Sequence, residues 1–117
     1  MRDELLNPLY NVLSASDYLL KETILNDLQR KFLHSIHTVS QDMQQLIVMT
    51  PPELLTIERA REMFSYETRE LLASMIGYAE VLESEAEGKL DTTQHEQVRI
   101  IHTNATVLVN IIAEISE

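Results

Sequence analysis

The sequence contains no cysteine. That excludes disulfides, thiolate metal sites and a cysteine nucleophile, and it agrees with a cytoplasmic setting, the expected location. Glycine and proline are also scarce, two and three residues in 117, too few for a chain built from turns. Basic residues are outnumbered: nine Lys and Arg stand against nineteen Asp and Glu, a formal net charge of -10. Little is left to neutralise a phosphate backbone, and nucleic-acid binding is not expected. No apolar run approaches the roughly 20 residues of a membrane span, and Met1-Arg2-Asp3 opens nothing like a secretion signal. No membrane partner is expected. The acidity is uneven: residues 1–49 carry four positive and six negative charges, residues 50–117 five and thirteen.

What is present is helical periodicity. Leu9, Val12 or Leu13, Ser16, Leu19 and Leu20 form one stripe, and Phe32 or Leu33, Ile36, Val39 or Ser40, Met43, Leu46 and Ile47 a second. Leu72, Met75 or Ile76, Ala79 and Leu82 form a third, and Val98, Ile101, Ala105, Leu108, Ile111, Ile112 and Ile115 a fourth. Each suits a helix that buries one face in a bundle. Asn26 with Gln29, and Asp91 with Gln94, read as N-caps whose partner three residues on caps back. Thr50-Pro51-Pro52-Glu53 reads as a further capping box, and Gly88 as the turn between the third and fourth helices. The fold class expected is all-α, an antiparallel four-helix bundle in one domain, 1–117, a length that supports a core without disulfide or metal.

An internal repeat is legible. A shift of 63 matches Glu4 with Glu67, Leu9 with Leu72, Leu19 with Leu82 and Glu22 with Glu85. Past the turn the shift becomes 65 and matches Leu25 with Leu90, Gln29 with Gln94, Ile36-His37-Thr38 with Ile101-His102-Thr103, and Ile47 with Ile112. The change of shift falls in a loop, where insertions are tolerated. The boundaries expected are repeat 1 over 1–49, a linker and helix extension over 50–64, and repeat 2 over 65–117.

Within repeat 2 the segment Ser65-Tyr66-Glu67-Thr68-Arg69-Glu70-Leu71-Leu72, continuing to Ile76-Gly77-Tyr78-Ala79-Glu80-Val81-Leu82, resembles the phospho-acceptor helix of the sensor-kinase dimerisation and histidine-phosphotransfer domain. Tyr66 stands where that family has its histidine. Asp3-Glu4-Leu5-Leu6-Asn7-Pro8-Leu9 resembles the same motif, with Asp3 at the histidine position. The resemblance implies two family hairpins in tandem, closing in one chain a bundle that the family builds from two. The same stripes also permit exchange of hairpins between two chains, so monomer and homodimer both stay open. The third helix is expected to outrun the first, since Pro51 to Ser65 precede Tyr66. Gly77 matches the family's Ile-Gly-Tyr, which suggests a close helix approach there; its counterpart in the other repeat, Ser14, is also small.

The family's chemistry needs an imidazole nitrogen to take and surrender a phosphoryl group. A carboxylate at Asp3 would give an acyl phosphate and a phenol at Tyr66 a stable ester, and no glycine-rich loop is present to cradle phosphates. The chain is therefore expected to be no enzyme, to use no cofactor, and to serve as a signalling interaction module that docks a receiver domain or a sensor kinase of a bacterial two-component system. Leu6, Met63, Phe64, Tyr66 and Leu71 are the expected docking residues. The alternative is a receiver phosphatase in which Asn7, at the family's water-positioning place, orients water and Glu4 accepts its proton. The same Asp3 and Glu4 also suit a plain helix N-terminus. A structural signal-transmitting segment of a larger protein is the third reading. His34, His37, His95 and His102 lack the spacing of a metal or phosphotransfer motif, so no metal site is expected.

Overall fold

The computed structural model describes residues 2–116. It contains four α-helices, α1 (Arg2–Glu22), α2 (Asp27–Met49), α3 (Glu58–Glu83) and α4 (Thr92–Ser116), with a short 3-10 helix over Pro52–Thr56 between α2 and α3. They pack as an antiparallel bundle 45 Å long in which α1 neighbours α2 and α4, α3 neighbours the same two, and α1 faces α3 across the diagonal. α3, with 26 residues, is longer than α1, with 21.

The stripes become the core. Leu5, Leu9, Val12, Ser16 and Leu19 along α1 meet Ile47, Met43, Ser40, Ile36 and Leu33 read backwards along α2, all buried. Small residues face large ones in this register, Ser16 beside Ile36 and Ser40 beside Val12, which lets the layers interdigitate. Burying each Leu, Ile or Met contributes about 1.5–3 kcal/mol. Helix propensity, worth a few tenths of a kcal/mol per residue, is a minor term beside this.

The buried residues of α2, Gln29, Leu33, Ile36, Ser40, Met43 and Ile47, correspond position for position with those of α4, Gln94, Val98, Ile101, Ala105, Leu108 and Ile112, at the shift of 65. Gln29 and Gln94 each complete a reciprocal cap, with Asn26 and Asp91 respectively. Each also reaches the other hairpin. Gln29 Nε2 donates to the Lys89 carbonyl at 3.3 Å and Gln94 Nε2 to the Ile24 carbonyl at 2.8 Å, two acceptors that are themselves 65 apart. The hairpins thus meet as a two-fold pair would, each giving and receiving the same bond. Their outer grooves differ. Phe32 and Tyr78 stack at 5.5 Å between α2 and α3, whereas Asn11 donates to Asn104 at 3.0 Å between α1 and α4.

Two sequence expectations are corrected. Thr50 starts no capping box: it ends α2, its hydroxyl donating to the Leu46 carbonyl, and Pro51 begins the 3-10 helix with no side-chain cap. The Thr50 N–H is likewise spent on α2, donating to the Ile47 carbonyl, so neither Thr50 group is left for a box. Gly77 makes no close helix approach; an added Cβ would meet nothing within 4 Å. The fully buried small residues that line the tight packing are Ser16, Ser40, Ala79 and Ala105 instead. By length and composition alone, α4 is long and apolar enough to cross a bilayer. Only part of its apolar surface is the buried stripe Val98, Ile101, Leu108 and Ile112; Ile100, Ile111 and Ile115 are half-buried, and Val107 and Val109 are exposed.

The α3–α4 turn is held by Glu85, which adopts a left-handed conformation at φ 58. Its carboxylate pairs with His95 Nε2 at 2.9 Å and accepts the Leu90 N–H at 2.9 Å. The His95 bond first, then the Leu90 bond, hold its carboxyl below the ordinary range against the opposing effect of burial. A depressed folded value contributes stability above the ordinary carboxylate pKa of about 4.3 and loses it as pH falls through the folded value. Glu85→Gln is therefore expected to be less stable than the parent at about pH 6, with the gap narrowing towards about pH 3. Urea melts of both proteins across that range check it; a gap that widens in acid contradicts the assignment.

Candidate functional site

The residues singled out by the resemblance lie at the end of the bundle that holds the linker, but not together. Asp3, Glu4, Leu6 and Asn7 are on α1, and Met63, Phe64, Tyr66 and Leu71 on α3, the helices across the diagonal. Helical spacing then divides each group. On α1, Asp3, Glu4 and Asn7 point to solvent and their side chains make no hydrogen bond among the described residues, while Leu6 is only 8% exposed and packs in the core. On α3, Phe64 is 5% exposed and Leu71 half-buried, whereas Met63 and Tyr66 are 58% and 64% exposed. Leu6 and Phe64 are thus corrected from docking anchors to core residues. Both lie on the inward arc of their helices, one position from residues that face out.

Glu70, one turn beyond Tyr66, raises the phenol above its ordinary value, chiefly through a hydrogen bond and then through its charge. The oxygen stays protonated around neutrality and is a poor nucleophile. Beside Met63 an apolar groove of ≈ 180 Å³ opens between α2, the 3-10 helix and α3, lined by Leu46, Thr50, Leu54, Ala60, Met63, Phe64 and Glu67. Leu54 and Ile57 are exposed on its rim side of the linker, as is Met49 at the end of α2. The bonding here keeps the linker close: Arg2 donates to the Val48 and Thr50 carbonyls at 3.2 and 3.3 Å, a cation at the carbonyl end of α2. Leu54 and Ile57 were missed in the sequence because an aperiodic linker gives no stripe by which to assign a face.

The histidines are occupied locally or exposed. His37 Nδ1 bonds the buried Ser16 hydroxyl at 2.8 Å, His102 Nδ1 pairs with Glu83 at 2.6 Å, His95 pairs with Glu85, and His34 is exposed. Among the described residues no group of three His, Asp or Glu side chains is arranged to hold a metal ion. No protein-family model matches the chain, and comparison with curated proteins and with solved structures finds no significant match.

Proposed function

We propose that this chain is a non-catalytic docking module of two-component signalling whose partner, a receiver domain or a sensor kinase, seats on the linker end of α3. The observation that carries this reading is the exposure of Met63, which lines the apolar groove, and of Tyr66 three residues further along α3, at the end of the helix where the resemblance places the phospho-acceptor. A methionine and an aromatic on a rigid helix next to a groove with room for a side chain make an anchor of the kind that dominates binding energy. Phosphatase action by Glu4 and Asn7 is the second reading, favoured by two exposed side chains with no competing hydrogen bonds among the described residues. It requires a docking face other than Tyr66 and Met63, since α1 and α3 are diagonal.

Titration against the receiver domains of the source organism, with and without an acyl-phosphate mimic, tests both readings. Saturable binding to one receiver is expected, with Met63→Ala and Tyr66→Ala each weakening it at least about tenfold and Asn7→Ala leaving it unchanged. Phosphate release from that receiver, abolished by Asn7→Ala, would install the phosphatase in its place. Binding to sensor kinases, titrated in the same way, completes the set. No binding to any receiver or kinase sinks the docking reading.

A further inference from the structure

Where the two hairpins differ at the linker end, a polar pocket appears. On α1 the long side chain of Arg2 covers the end of α2. At the shift of 63 its counterpart on α3 is the small Ser65, and the space beside it is a pocket of ≈ 340 Å³ lined by Arg61, Glu62, Ser65, Tyr66, Arg69 and Ser116. Arg61, Ser65 and Arg69 are four residues apart on one face of α3, spanning about 12 Å of helix rise, a distance that two arginine side chains can close from either side. Arg61 lies in the first turn of α3, four residues before Ser65.

The hydrogen bonding leaves donors to spare. Ser116 Oγ donates to the Ile112 carbonyl at 2.9 Å, so its oxygen accepts from Arg69 Nη2 at 2.8 Å and from Ser65. Arg61 spends one N–H on the Leu55 carbonyl at 3.4 Å. A guanidinium carries five N–H donors, and in a chain of nineteen acids neither Arg61 nor Arg69 forms an ion pair among the described residues. Two cations with N–H donors left over among the described residues, a hydroxyl network behind them and a phenol at the rim match a dianionic tetrahedral oxyanion, which offers several acceptors to planar forks. A single carboxylate would leave one guanidinium unmatched.

We propose that the Arg61–Ser65–Arg69–Ser116 pocket is a binding site for a phosphate-class oxyanion, either free phosphate or the phosphate of a monoester. It stands whether or not a receiver docks at Met63 and Tyr66. Glu62 on the rim opposes such a ligand, which supplies a test that a purely structural role for the arginines does not pass.

The experiment is an amide-resolved NMR titration of the full chain with inorganic phosphate, and separately with phosphoserine, at fixed ionic strength of about 0.15 M so that distant charges are screened. Saturable shifts centred on Arg61, Ser65, Tyr66, Arg69 and Ser116 are expected, with a dissociation constant of about 1 mM or below. Arg61→Gln and Arg69→Gln are each expected to weaken binding at least about tenfold, and Glu62→Gln to strengthen it about threefold or more. Circular dichroism checks that each variant is folded. Tighter binding of phosphoserine identifies a monoester as the ligand, and equal binding identifies free phosphate; either supports the site. Absence of saturable shifts up to about 50 mM of both probes, well above the expected constant, or shifts that survive the double arginine substitution, would overturn it.

Discussion

Ile36→Ala and Ile101→Ala are each expected to lower the unfolding free energy by about 2–5 kcal/mol. Both side chains are fully buried, and they hold equivalent places in the two hairpins. Each deletion removes the transfer energy of the lost methyl groups and leaves a void whose cost depends on how far neighbours relax. Here relaxation is limited. In the packing register Ile36 lies beside Ser16 and Ile101 beside Ala79, residues too short to fill the space. Ser16 is moreover tied to His37 and to the Leu13 carbonyl. The two losses are therefore expected in the upper part of that range and equal to within about 1 kcal/mol. With a total stability of about 5–15 kcal/mol for a domain of this kind, the double variant should be largely unfolded or lack fixed packing. Urea denaturation followed by far-ultraviolet circular dichroism measures all three. A loss below about 1 kcal/mol at either position would mean that the layer is looser than its burial indicates.

Gly88→Ala is expected to cost about 2–4 kcal/mol, more than any other single-methyl change on the surface of the chain. Two effects add. Gly88 sits at φ 135, where a side chain is strained, a cost of about 1–3 kcal/mol. Its new Cβ would also lie 2.5 Å from Asn26 Nδ2 and 3.0 Å from Gln29 Nε2. Those two amides are flexible ends and can move, but moving them breaks the Asn26 bond to the Glu87 carbonyl at 2.6 Å and the Gln29 bond to Lys89. Loss of the α2 cap adds about 0.5–2 kcal/mol. The same reasoning predicts coupling: in an Asn26→Ala background the alanine at 88 should cost less, because the closest obstruction is gone and the cap is already weakened. Hydrogen exchange at the start of α2 should accelerate in Gly88→Ala although the substitution lies in the other hairpin. Additive losses in the double variant would show that backbone strain alone is responsible.

The one-dimensional pattern determined a good deal. Stripes at three and four spacing are enough to specify four helices and most of the buried residues, because burial of one helical face is a periodic constraint that a sequence must satisfy residue by residue. The Asn26–Gln29 and Asp91–Gln94 caps were equally legible, since each is closed by side chains three residues apart. Contacts of longer range were not. That Gln29 and Gln94 continue past their own caps to the opposite hairpin, that Gly88 is pressed against the α2 cap, and that Arg61 and Arg69 flank a pocket closed by Ser116 all depend on residues 47 to 70 positions apart. The resemblance drew attention to the segment around Tyr66 but could not tell Phe64 from Met63, of which one is buried and the other exposed. Adjacent residues on a helix differ by about 100°, and which of them meets the core is set by where the neighbouring helix lies. Periodicity determined which arc of each helix is apolar; only the packing of α3 against α2 and α4 decided which side chains remain at the surface, because that choice is made by helices distant in sequence.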